Sequence, residues 1–432
     1  MLLGIDDTDS PEGGCTTWVL SEVVRRTREL GLDLIGEPRL VRLNPNIAWK
    51  TRGNAALALR AGHGSGVPRA VGEIGGAPVL AFDRGRPLRP REQADLVEAA
   101  WEAVLEGAPR APGTDPALVA VPRPLPASLY WSAVRDVVTV PAVLALLRRE
   151  RATFRTRGGR RGLVGAAAAV AWPGRRRTWE LLAYRRRDVW GTPRYVDAGS
   201  VRDAERAEPS LFLCQDPRTR RLLVAPHTPC PILFGLRARE AGAARRALGR
   251  VRSEPIERWV LYRTNQGTGD HLARHPISAL AAGRSAFVLG AVAGPAVALR
   301  GGHARFPLRD AAGDRLSCLA FEPTKTLPAL VRRLVPGDRL EVWGSLRRRR
   351  SFHLEGIRLV SAADRRRWLP PRCPGCARTA GSMGRGRGWR CPGCRRRFPP
   401  EAGRRDGGPP APSLGVYHPT RSARRHLAPL GD

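Results

Sequence analysis

Four cysteines near the carboxyl end of the 432-residue chain have the spacing of a metal site. Cys373 and Cys376 form one Cys-x-x-Cys pair, and fourteen residues separate it from the pair of Cys391 and Cys394. Each Cys-Pro-Gly-Cys turn directs two thiolates at one point, and four thiolates complete the tetrahedral shell of a structural Zn²⁺ site. The spacing therefore predicts a zinc ribbon that leaves the metal no open position for catalysis.

Three carboxylates follow the first predicted strand of the chain. Asp6, Asp7 and Asp9 come directly after the apolar strand predicted over residues 2–5, within the run Gly-Ile-Asp-Asp-Thr-Asp-Ser. Carboxylates this close repel one another unless a cation lies among them, and their oxygen atoms suit Mg²⁺ carrying the phosphates of a nucleotide. The spacing therefore indicates a magnesium-dependent nucleotide site, with a solvated acidic turn as the alternative.

A glycine-rich turn and two threonines come next. Gly13 and Gly14 precede a helix that the apolar spacing predicts over residues 16–30, and this helix begins with Thr16 and Thr17. Free N–H groups and the helix dipole make such a helix start a site for phosphate. The turn therefore predicts phosphate binding beside the acidic loop, unless the threonine only caps the helix.

Lysine and asparagine are rare in this chain and concentrate in short stretches. Only Lys50 and Lys325 are lysines, and the asparagines are Asn44, Asn46, Asn54 and Asn265. Arg replaces Lys freely on a surface, but not where a compact ammonium group is needed. We therefore interpret residues 42–54, which include Lys50 and Arg52, as a ligand-binding loop, with an ordinary polar loop as the alternative.

The charge of the chain is large and unevenly distributed. It has 74 Lys plus Arg against 39 Asp plus Glu, a formal net charge of +35. Residues 1–60 have eight basic and eight acidic residues, whereas residues 365–432 have 16 Arg against three acidic residues. Such a charge favours a polyanionic partner, usually nucleic acid, because each bound phosphate releases counterions. A merely solubilising role for the basic end is the alternative.

The sequence lacks signs of export or membrane insertion. No apolar run approaches the length of a membrane span, and residues 1–4 lack the basic flank and long apolar core of a signal peptide. Eight cysteines are too few for a disulfide scaffold in a chain of this length. We therefore expect a soluble, cytoplasmic protein without a membrane partner.

Predicted elements divide the rest of the chain into blocks. The Pro-rich residues 108–128 indicate a boundary. The pattern then predicts helices over 133–148 and 162–172, a strand over 179–184, and a hairpin of 211–213 with 222–224. These elements fit a ferredoxin-like α+β sandwich. Five short predicted strands in residues 283–360 fit an OB-fold barrel, a fold that commonly holds nucleic acid.

Several motifs taken together resemble one family. They are Gly-Ile-Asp-Asp-Thr-Asp-Ser and Cys-Thr-Thr within residues 4–17, Asn-Pro-Asn-Ile-Ala-Trp-Lys-Thr-Arg-Gly-Asn at 44–54, and Arg-Thr-Asn-Gln-Gly at 263–267. With the terminal cysteine pairs, they resemble the archaeal 2-agmatinylcytidine synthetases of isoleucine tRNA, the TiaS family, over nearly the whole chain. The order of the predicted parts also matches that family.

The resemblance implies a multidomain α+β architecture. Its parts are a kinase-like, ATP-binding α/β domain (1–120), a ferredoxin-like domain (121–250), a connecting segment with the Arg-Thr-Asn-Gln-Gly motif (251–282), a tRNA-binding OB-fold β-barrel (283–362), a zinc ribbon (368–398) and a basic tail (399–432). No obligate protein partner is evident.

The resemblance also implies an activity. The family uses ATP to activate the C2 carbonyl of the wobble cytidine in the CAU anticodon of the minor isoleucine tRNA. The amine of agmatine then displaces the activated oxygen, and the modified tRNA decodes AUA. Asp6, Asp7 and Asp9 would hold Mg²⁺ and ATP, and Thr16 rather than Thr17 would be phosphorylated.

Binding of phosphate, nucleotide or substrate is implied for Gly13, Gly14, Thr17, Lys50, Arg52, Arg160, Arg161, Arg263, Asn265 and Gln266. Lys325 and His303 are candidates for RNA contact. Two other classes of function fit parts of the pattern: a non-enzymatic single-strand-binding protein with an inert acidic turn, and an RNA kinase or ligase with another acceptor. ATP turnover distinguishes the first of these from the enzyme.

Overall fold

The computed structural model describes residues 1–51, 53–347, 351–365, 367–406 and 410–431. The first part contains strands β1 (Leu2–Asp6), β2 (Asp33–Ile35), β3 (Arg39–Arg42), β4 (Ala55–Ser65), β5 (Arg69–Ile74), β6 (Ala77–Phe82), β7 (Arg84–Arg86), β8 (Ala117–Val121) and β9 (Thr153–Thr156). Its helices are α1 (Thr16–Glu29), α2 (Pro90–Gly107), α3 (Ala127–Arg135), α4 (Val140–Arg149) and α5 (Gly162–Ala171).

The middle part contains β10 (Thr178–Arg185), α6 (Ala198–Ala207), β11 (Ile232–Ala238), α7 (Ala241–Leu248) and β12 (Ile256–Thr264). The last part contains β13 (Leu272–Arg274), β14 (Ser285–Val292), β15 (Val297–Ala298), β16 (Ala304–Arg309), β17 (Arg315–Ala320), α8 (Thr326–Val331), β18 (Arg339–Leu346) and β19 (Ser351–Ser361). It ends with β20 (Arg367–Leu369), β21 (Gly381–Ser382), β22 (Trp389–Arg390), β23 (Arg397–Phe398), β24 (Arg404–Asp406) and β25 (Gly415–Tyr417).

One large sheet joins the first and middle parts of the chain. Its strand order is β11-β10-β12-β5-β6-β2-β4-β1-β8-β9, with β3 paired to both β12 and β4 and with β7 paired to β4. β1 is antiparallel to both of its neighbours, β4 and β8. The acidic loop therefore leaves an interior strand of the sheet rather than an edge.

Both faces of this sheet are covered, which explains why its central strands are apolar throughout. Residues of α1 and α2 form one core with Leu3 and Ile5 of β1. The Ala-rich α5 lies in the core on the other face, and small side chains let it approach closely. Gly4 has no room for a side chain, because the Ala166 backbone lies against it. This close crossing brings the start of α5 next to the acidic loop.

The predictions for the first 60 residues are confirmed to within one residue for β1, α1 and β3. The boundary predicted at 108–128 is wrong over residues 117–121, which form the fully buried β8 between β1 and β9. The prolines of this stretch lie before and after the strand, where a missing N–H breaks no sheet hydrogen bond. Proline content there marks strand ends.

The predicted helix over 133–148 is two helices, α3 and α4. Pro141 lies in the first turn of α4, where proline is tolerated, and residues 136–139 separate the two. The predicted hairpin of 211–213 with 222–224 is also wrong. Residues 214–215 pair with 222–223 instead, through the Gln215 bridge with Leu222 and the Leu223 N–H that donates to Cys214 O at 2.9 Å. Leu211 bridges Ala238, and Leu213 has a positive φ that interrupts an extended strand.

The predicted domain borders also differ from the structure. Residues 127–171 pack on β1, β4 and β8, so no structural border lies at 120. Residues 251–282, predicted as a connecting segment, contain β12, which pairs with β10, β5 and β3 in the large sheet. The sequence could not reveal this, because the partners of β12 are distant in the chain.

A five-stranded barrel follows the large sheet. β14, β18, β19, β17 and β16 pair in that order, and the pairing of β14 with β16 closes the barrel. The five strands predicted in residues 283–360 are confirmed. Their inward side chains and α8 share one core. The cysteine region forms two small separate sheets, β21-β22-β23 and β20-β24.

The end of the described chain, within the predicted basic tail over 399–432, is packed against the rest of the molecule. β25 pairs with β19 of the barrel, and the following residues return to the large sheet. There the N–H groups of Gly267 and Gly269 donate to the carbonyls of His426 and Leu427, each at 2.8 Å. Within the described ranges, the helices are all too short or too polar to cross a membrane.

Candidate active site

A cavity of about 670 Å³ lies where the acidic loop, the start of α1, loop 42–54 and the start of α5 meet β10 and β11. Seven of the predicted site residues line it: Asp6, Asp7, Asp9, Thr16, Thr17, Lys50 and Arg161. These residues come from positions as far apart in the chain as 6 and 161. The fold therefore brings most of the predicted phosphate chemistry into one site.

Asp6 is the last residue of β1, and α5 crosses directly over it. A methyl group built on Gly165 of α5 would overlap the Asp6 carboxylate, so glycine is required at this crossing. Burial raises the pKa of Asp6 well above its usual value, and the charges of Asp7 and Asp9 raise it further. Its ionised form is therefore costly unless a cation enters the loop.

Asp7 turns the chain away from the strand with a positive φ of 58°. Its Oδ2 accepts a hydrogen bond from the backbone N–H of Asp115 at 3.2 Å. Burial raises the pKa of Asp7 to about 6 despite that hydrogen bond, and the Asp115 charge adds to the increase. These effects outweigh the opposing charge of Arg161. The acidic loop thus holds two carboxyl groups whose ionisation a bound cation would favour.

Asp115, which sequence reasoning missed, connects the acidic loop to the start of α5. Its carboxylate accepts from Arg161 Nε at 2.9 Å and from the backbone N–H of Gly159 at 2.9 Å. Arg161 is therefore fixed at the edge of the cavity, whereas Arg160 is not among the lining residues. Asp115 lies in the proline-rich stretch interpreted as a boundary, and this hid its role.

The start of α1 presents its two threonines differently. Thr17 Oγ1 is 3.1 Å from Cys15 Sγ, so its hydroxyl has a partner within the protein. For Thr16, which is 8% exposed and lines the cavity, no side-chain hydrogen bond occurs among the described residues. Gly13 and Gly14 instead line a neighbouring cavity of about 660 Å³, together with Trp18.

Asn44 and Asn46 shape loop 42–54 instead of facing the cavity, whereas Asn54 lines it. Asn44 and Asn46 are buried, and the Asn46 backbone N–H donates to Asn44 Oδ1 at 2.9 Å. Asn46 Nδ2 also donates to Ser285 Oγ of the barrel at 2.9 Å. Lys50 is left exposed at the cavity, and partial burial lowers its pKa below the usual value. Arg52 lies outside the described residues.

The Arg-Thr-Asn-Gln-Gly motif does not enter the cavity. Arg263 pairs with Glu37 at 2.7 Å, and Asn265 Oδ1 accepts from the Arg42 backbone N–H at 2.7 Å. Gln266 lies one layer behind the wall, where its side chain contacts Glu180 and His426. These three residues were predicted to bind substrate or nucleotide, and their geometry instead supports the residues that line the site.

A second group of charged residues also lines the cavity: Arg42, Glu180, Arg237 and His426. Only Arg42 lay in a segment, loop 42–54, that was predicted to bind a ligand. Glu180 is 2% exposed and accepts from Arg237 Nε at 3.1 Å, while Arg42 Nη2 lies 3.8 Å from its other oxygen. A charged residue inside the apolar predicted strand 179–184 was a usable signal for Glu180. His426 had none, because its position depends on the return of the chain end.

The cysteine cluster has the geometry of a metal site. The Sγ atoms of Cys373, Cys376, Cys391 and Cys394 all lie within 4.8 Å of one another. The contacts of Cys376 Sγ with Cys391 Sγ and Cys394 Sγ measure 3.2 and 3.9 Å. Sulfurs at the corners of a tetrahedral zinc site are about 3.8 Å apart, since each Zn–S bond is about 2.3 Å. The four thiols therefore fit one such ion.

Fold and cavity define a class of protein: a multidomain α+β enzyme that combines a cavity lined by carboxylates and cations with a five-stranded barrel and a Cys₄ cluster. Family models for the TiaS TCKD domain and the TiaS FLD domain match residues 2–157 and 160–271. A relative from Methanosarcina mazei, the tRNA 2-agmatinylcytidine synthetase TiaS, is 36% identical, with 99% of this chain and 96% of that protein aligned. The chain therefore belongs to the TiaS family, and the resemblance found in the sequence is confirmed.

Other relatives and solved structures agree. The Archaeoglobus fulgidus protein of the same name is 33% identical over 99% of this chain and 96% of its own length. A crystal structure of TiaS with its isoleucine tRNA and ATP superposes with a TM-score of 0.85 at 32% identity, covering 99% of this chain and 95% of that one. A complex of TiaS with the same tRNA, AMPCPP and agmatine gives 0.81 at 29% identity, covering 99% and 96%.

Proposed function

We propose that this protein conjugates agmatine to C2 of the wobble cytidine in the CAU anticodon of the minor isoleucine tRNA, at the expense of ATP. The product, 2-agmatinylcytidine, pairs with adenine and lets the tRNA decode AUA. One observation carries the proposal: a chain of this family brings Asp6, Asp7 and Asp9 together with Thr16 in a single cavity. ATP and tRNA are cytoplasmic substrates, so the reaction takes place there.

The chemistry explains why phosphate groups must be handled. The C2 carbonyl oxygen of cytidine is a poor leaving group, so phosphorylation must precede attack by the amine. Phosphoryl transfer depends mainly on alignment and on neutralisation of charge. Asp6, Asp7 and Asp9 would hold Mg²⁺, which supplies positive charge to the ATP phosphates when bound. The raised pKa values of Asp6 and Asp7 fit this role, because a cation relieves the repulsion.

Thr16 is the better candidate for the phosphorylated residue. The Thr17 hydroxyl is held by Cys15, whereas the Thr16 hydroxyl lines the cavity without such a partner among the described residues. Both occupy the first turn of α1, where the helix dipole favours a phosphoryl group. Lys50 and Arg161 are positioned to neutralise phosphate charge, and we extend that role to Arg42.

We assign the parts of the chain as follows. Residues 1–157 form the kinase-like catalytic domain, longer than the sequence predicted, and 160–271 form the ferredoxin-like domain. The five-stranded barrel is an OB fold that binds tRNA, and the four cysteines hold a structural Zn²⁺ in a ribbon that presents basic residues to the RNA. Lys325, which pairs with Glu322 on the barrel, is available to the RNA backbone.

ATP turnover tests this proposal against a protein that only binds single strands. The purified protein is incubated with ATP and Mg²⁺, with and without agmatine and a CAU-anticodon tRNA transcript, and released phosphate is measured. We expect ATP turnover only when the CAU-anticodon transcript is present. A GAU-anticodon transcript is the matched control and should not support turnover. Absence of turnover with all substrates present, in protein that binds the tRNA, would overturn the enzymatic proposal in favour of binding alone.

A further inference from the structure

The segment that follows β25 is fixed against the wall of the cavity. Gly267 N donates to His426 O at 2.8 Å, and Leu430 N donates to Gly267 O at 3.0 Å. Leu427, between these contacts, is 2% exposed and belongs to the core beneath α5. The main chain of His426 is thus held on both sides, and its exposed imidazole lines the cavity.

The hydrogen bonds around Gln266 determine which imidazole nitrogen of His426 carries the proton. The Glu180 carboxylate only accepts, so the amide group of Gln266 that faces it must be the Nε2 donor. The Gln266 Oε1 acceptor therefore faces His426 Nδ1, at 3.0 Å. Nδ1 must donate to it, and Nε2 consequently has the lone pair. No residue within the described ranges donates a hydrogen bond to this nitrogen.

The charges nearby keep the imidazole neutral. The Arg42 guanidinium is the main cause that lowers the pKa of His426 well below its usual value, and the charge of Arg237 adds to the decrease. Arg42 and Arg237 both line the cavity as well. His426 therefore presents a fixed, unprotonated acceptor in a positively charged corner of the site.

We propose that His426 Nε2 accepts the proton that the attacking amine of agmatine releases. This inference rests on the proposed function. In the step, the amine lone pair forms the bond to C2 of the phosphorylated cytidine, and the bond from C2 to the phosphate-bearing oxygen breaks. The electron pair of that bond leaves with inorganic phosphate, and one N–H proton of the former amine moves to Nε2.

The cluster behind His426 suits this step. The imidazolium still donates its Nδ1–H to Gln266 Oε1, and Gln266 Nε2 donates to the Glu180 carboxylate. The new positive charge is stabilised through these two hydrogen bonds. Phosphate bound beside Arg42 and Arg237 compensates their positive charge, and the basicity of Nε2 then rises. The base therefore becomes effective when the activated tRNA occupies the cavity.

The test is the His426→Asn variant, in which the side-chain amide retains a donor for Gln266 but lacks Nε2. Conjugation is measured with agmatine and with its aminooxy analogue, whose weakly basic amine is neutral in solution and depends less on a base. Because general-base catalysis contributes about 100-fold or more, we expect a drop of about 100-fold in kcat with agmatine. With the analogue, we expect a drop of less than about 10-fold.

Two further measurements separate this role from a structural one. Incorporation of phosphate from ATP into the protein should be unchanged in His426→Asn, because that step precedes amine attack. The matched control is His418→Asn on the same segment. The His418 ring lies against Trp343 of the barrel, with 5.7 Å between the two ring centroids, so this variant should leave both rates unchanged.

The proposal is overturned by equal losses with both nucleophiles, by an unchanged rate with agmatine, or by lost phosphate incorporation in His426→Asn. If the wild-type protein forms no conjugate with agmatine at all, the proposed function itself fails, so the two failures are distinguishable.

Discussion

Two groups of charged residues that line one cavity differ in how their buried charges are compensated. In the acidic loop, Asp6 and Asp7 have raised pKa values because burial and neighbouring carboxylates outweigh the favourable contacts of these two groups. In the second group, Glu180 is almost fully buried as well, yet it accepts from Arg237 and lies near Arg42. The acidic loop therefore needs an added cation, and the group around Glu180 has positive charge available for an anion.

This difference teaches how to separate functional from structural charge in the molecule. Glu22, in α1, is buried like the acidic loop, but Arg258 and Arg25 bond to it and lower its pKa. A buried acid that bonds to arginines keeps a lowered pKa, whereas Asp6 and Asp7 have raised pKa values that a bound cation would reverse. In this comparison only Asp6 and Asp7 have the electrostatics of a ligand site.

The largest effect is expected for removal of one charge from the acidic loop. Asp7→Asn keeps the size of the side chain and its contact with the Asp115 N–H but loses a ligand for Mg²⁺. We expect ATP turnover to fall by about 1,000-fold, because charge neutralisation dominates phosphoryl transfer. Affinity for tRNA, measured by filter binding, should stay within about 2-fold. Retained turnover would show that the loop is an inert turn.

The next effect tests the crossing of α5 over β1. In Gly165→Ala the added methyl group overlaps Asp6, so the carboxylate must move. We expect ATP turnover to drop by about 100-fold, since small misplacement of a catalytic group is costly. Gly249→Ala, just after α7, is the control, because a methyl group there makes only an ordinary contact. Equal activity of the two variants would contradict this account of Gly165.

A smaller effect is expected at the basic end of the chain. Cys391→Ser removes one thiolate from the cluster and should release bound Zn²⁺, which a colorimetric zinc assay detects. Because several linked sites on the protein bind the same tRNA, we expect the Kd for tRNA to rise by only about 10-fold. Cys318→Ser, in the barrel core, is the control for zinc content. Wild-type protein without bound zinc would refute the predicted ribbon.

The smallest effect is a pH dependence of the acidic loop. Because the pKa of Asp7 is raised to about 6, this carboxyl group is protonated below that pH and ionised above it. Affinity for Mg²⁺-ATP should therefore weaken as the pH falls through about 6. We expect KM for ATP to rise several-fold between about pH 7.5 and about pH 5.5. A flat KM over this range would contradict the burial of Asp7.

Local sequence signals predicted the acidic loop, the start of α1, the barrel strands and the cysteine pairs. In each of these the residues that act together are close in the chain, so spacing alone brings them together. Arg161 was found as well, but only through resemblance to a family. Sequence patterns were less informative for residues whose role depends on a partner that is distant in the chain.

Long-range pairing explains the rest. The predicted roles of Arg263, Asn265 and Gln266 did not anticipate that β12 pairs with β3 and places these side chains behind the wall. Asp115, Arg42 and His426 take their places around the cavity only because the sheet and the chain end fold over one another. No local pattern records such contacts.

The mass of the wobble nucleoside tests the central claim most directly. A CAU-anticodon isoleucine tRNA transcript is incubated with the protein, ATP, Mg²⁺ and agmatine, then digested to nucleosides and analysed by mass spectrometry. We predict that the wobble cytidine gains the mass of agmatine less one water, and that this gain disappears without ATP or in Asp7→Asn. An unchanged cytidine, from folded protein that binds the transcript, would contradict the account.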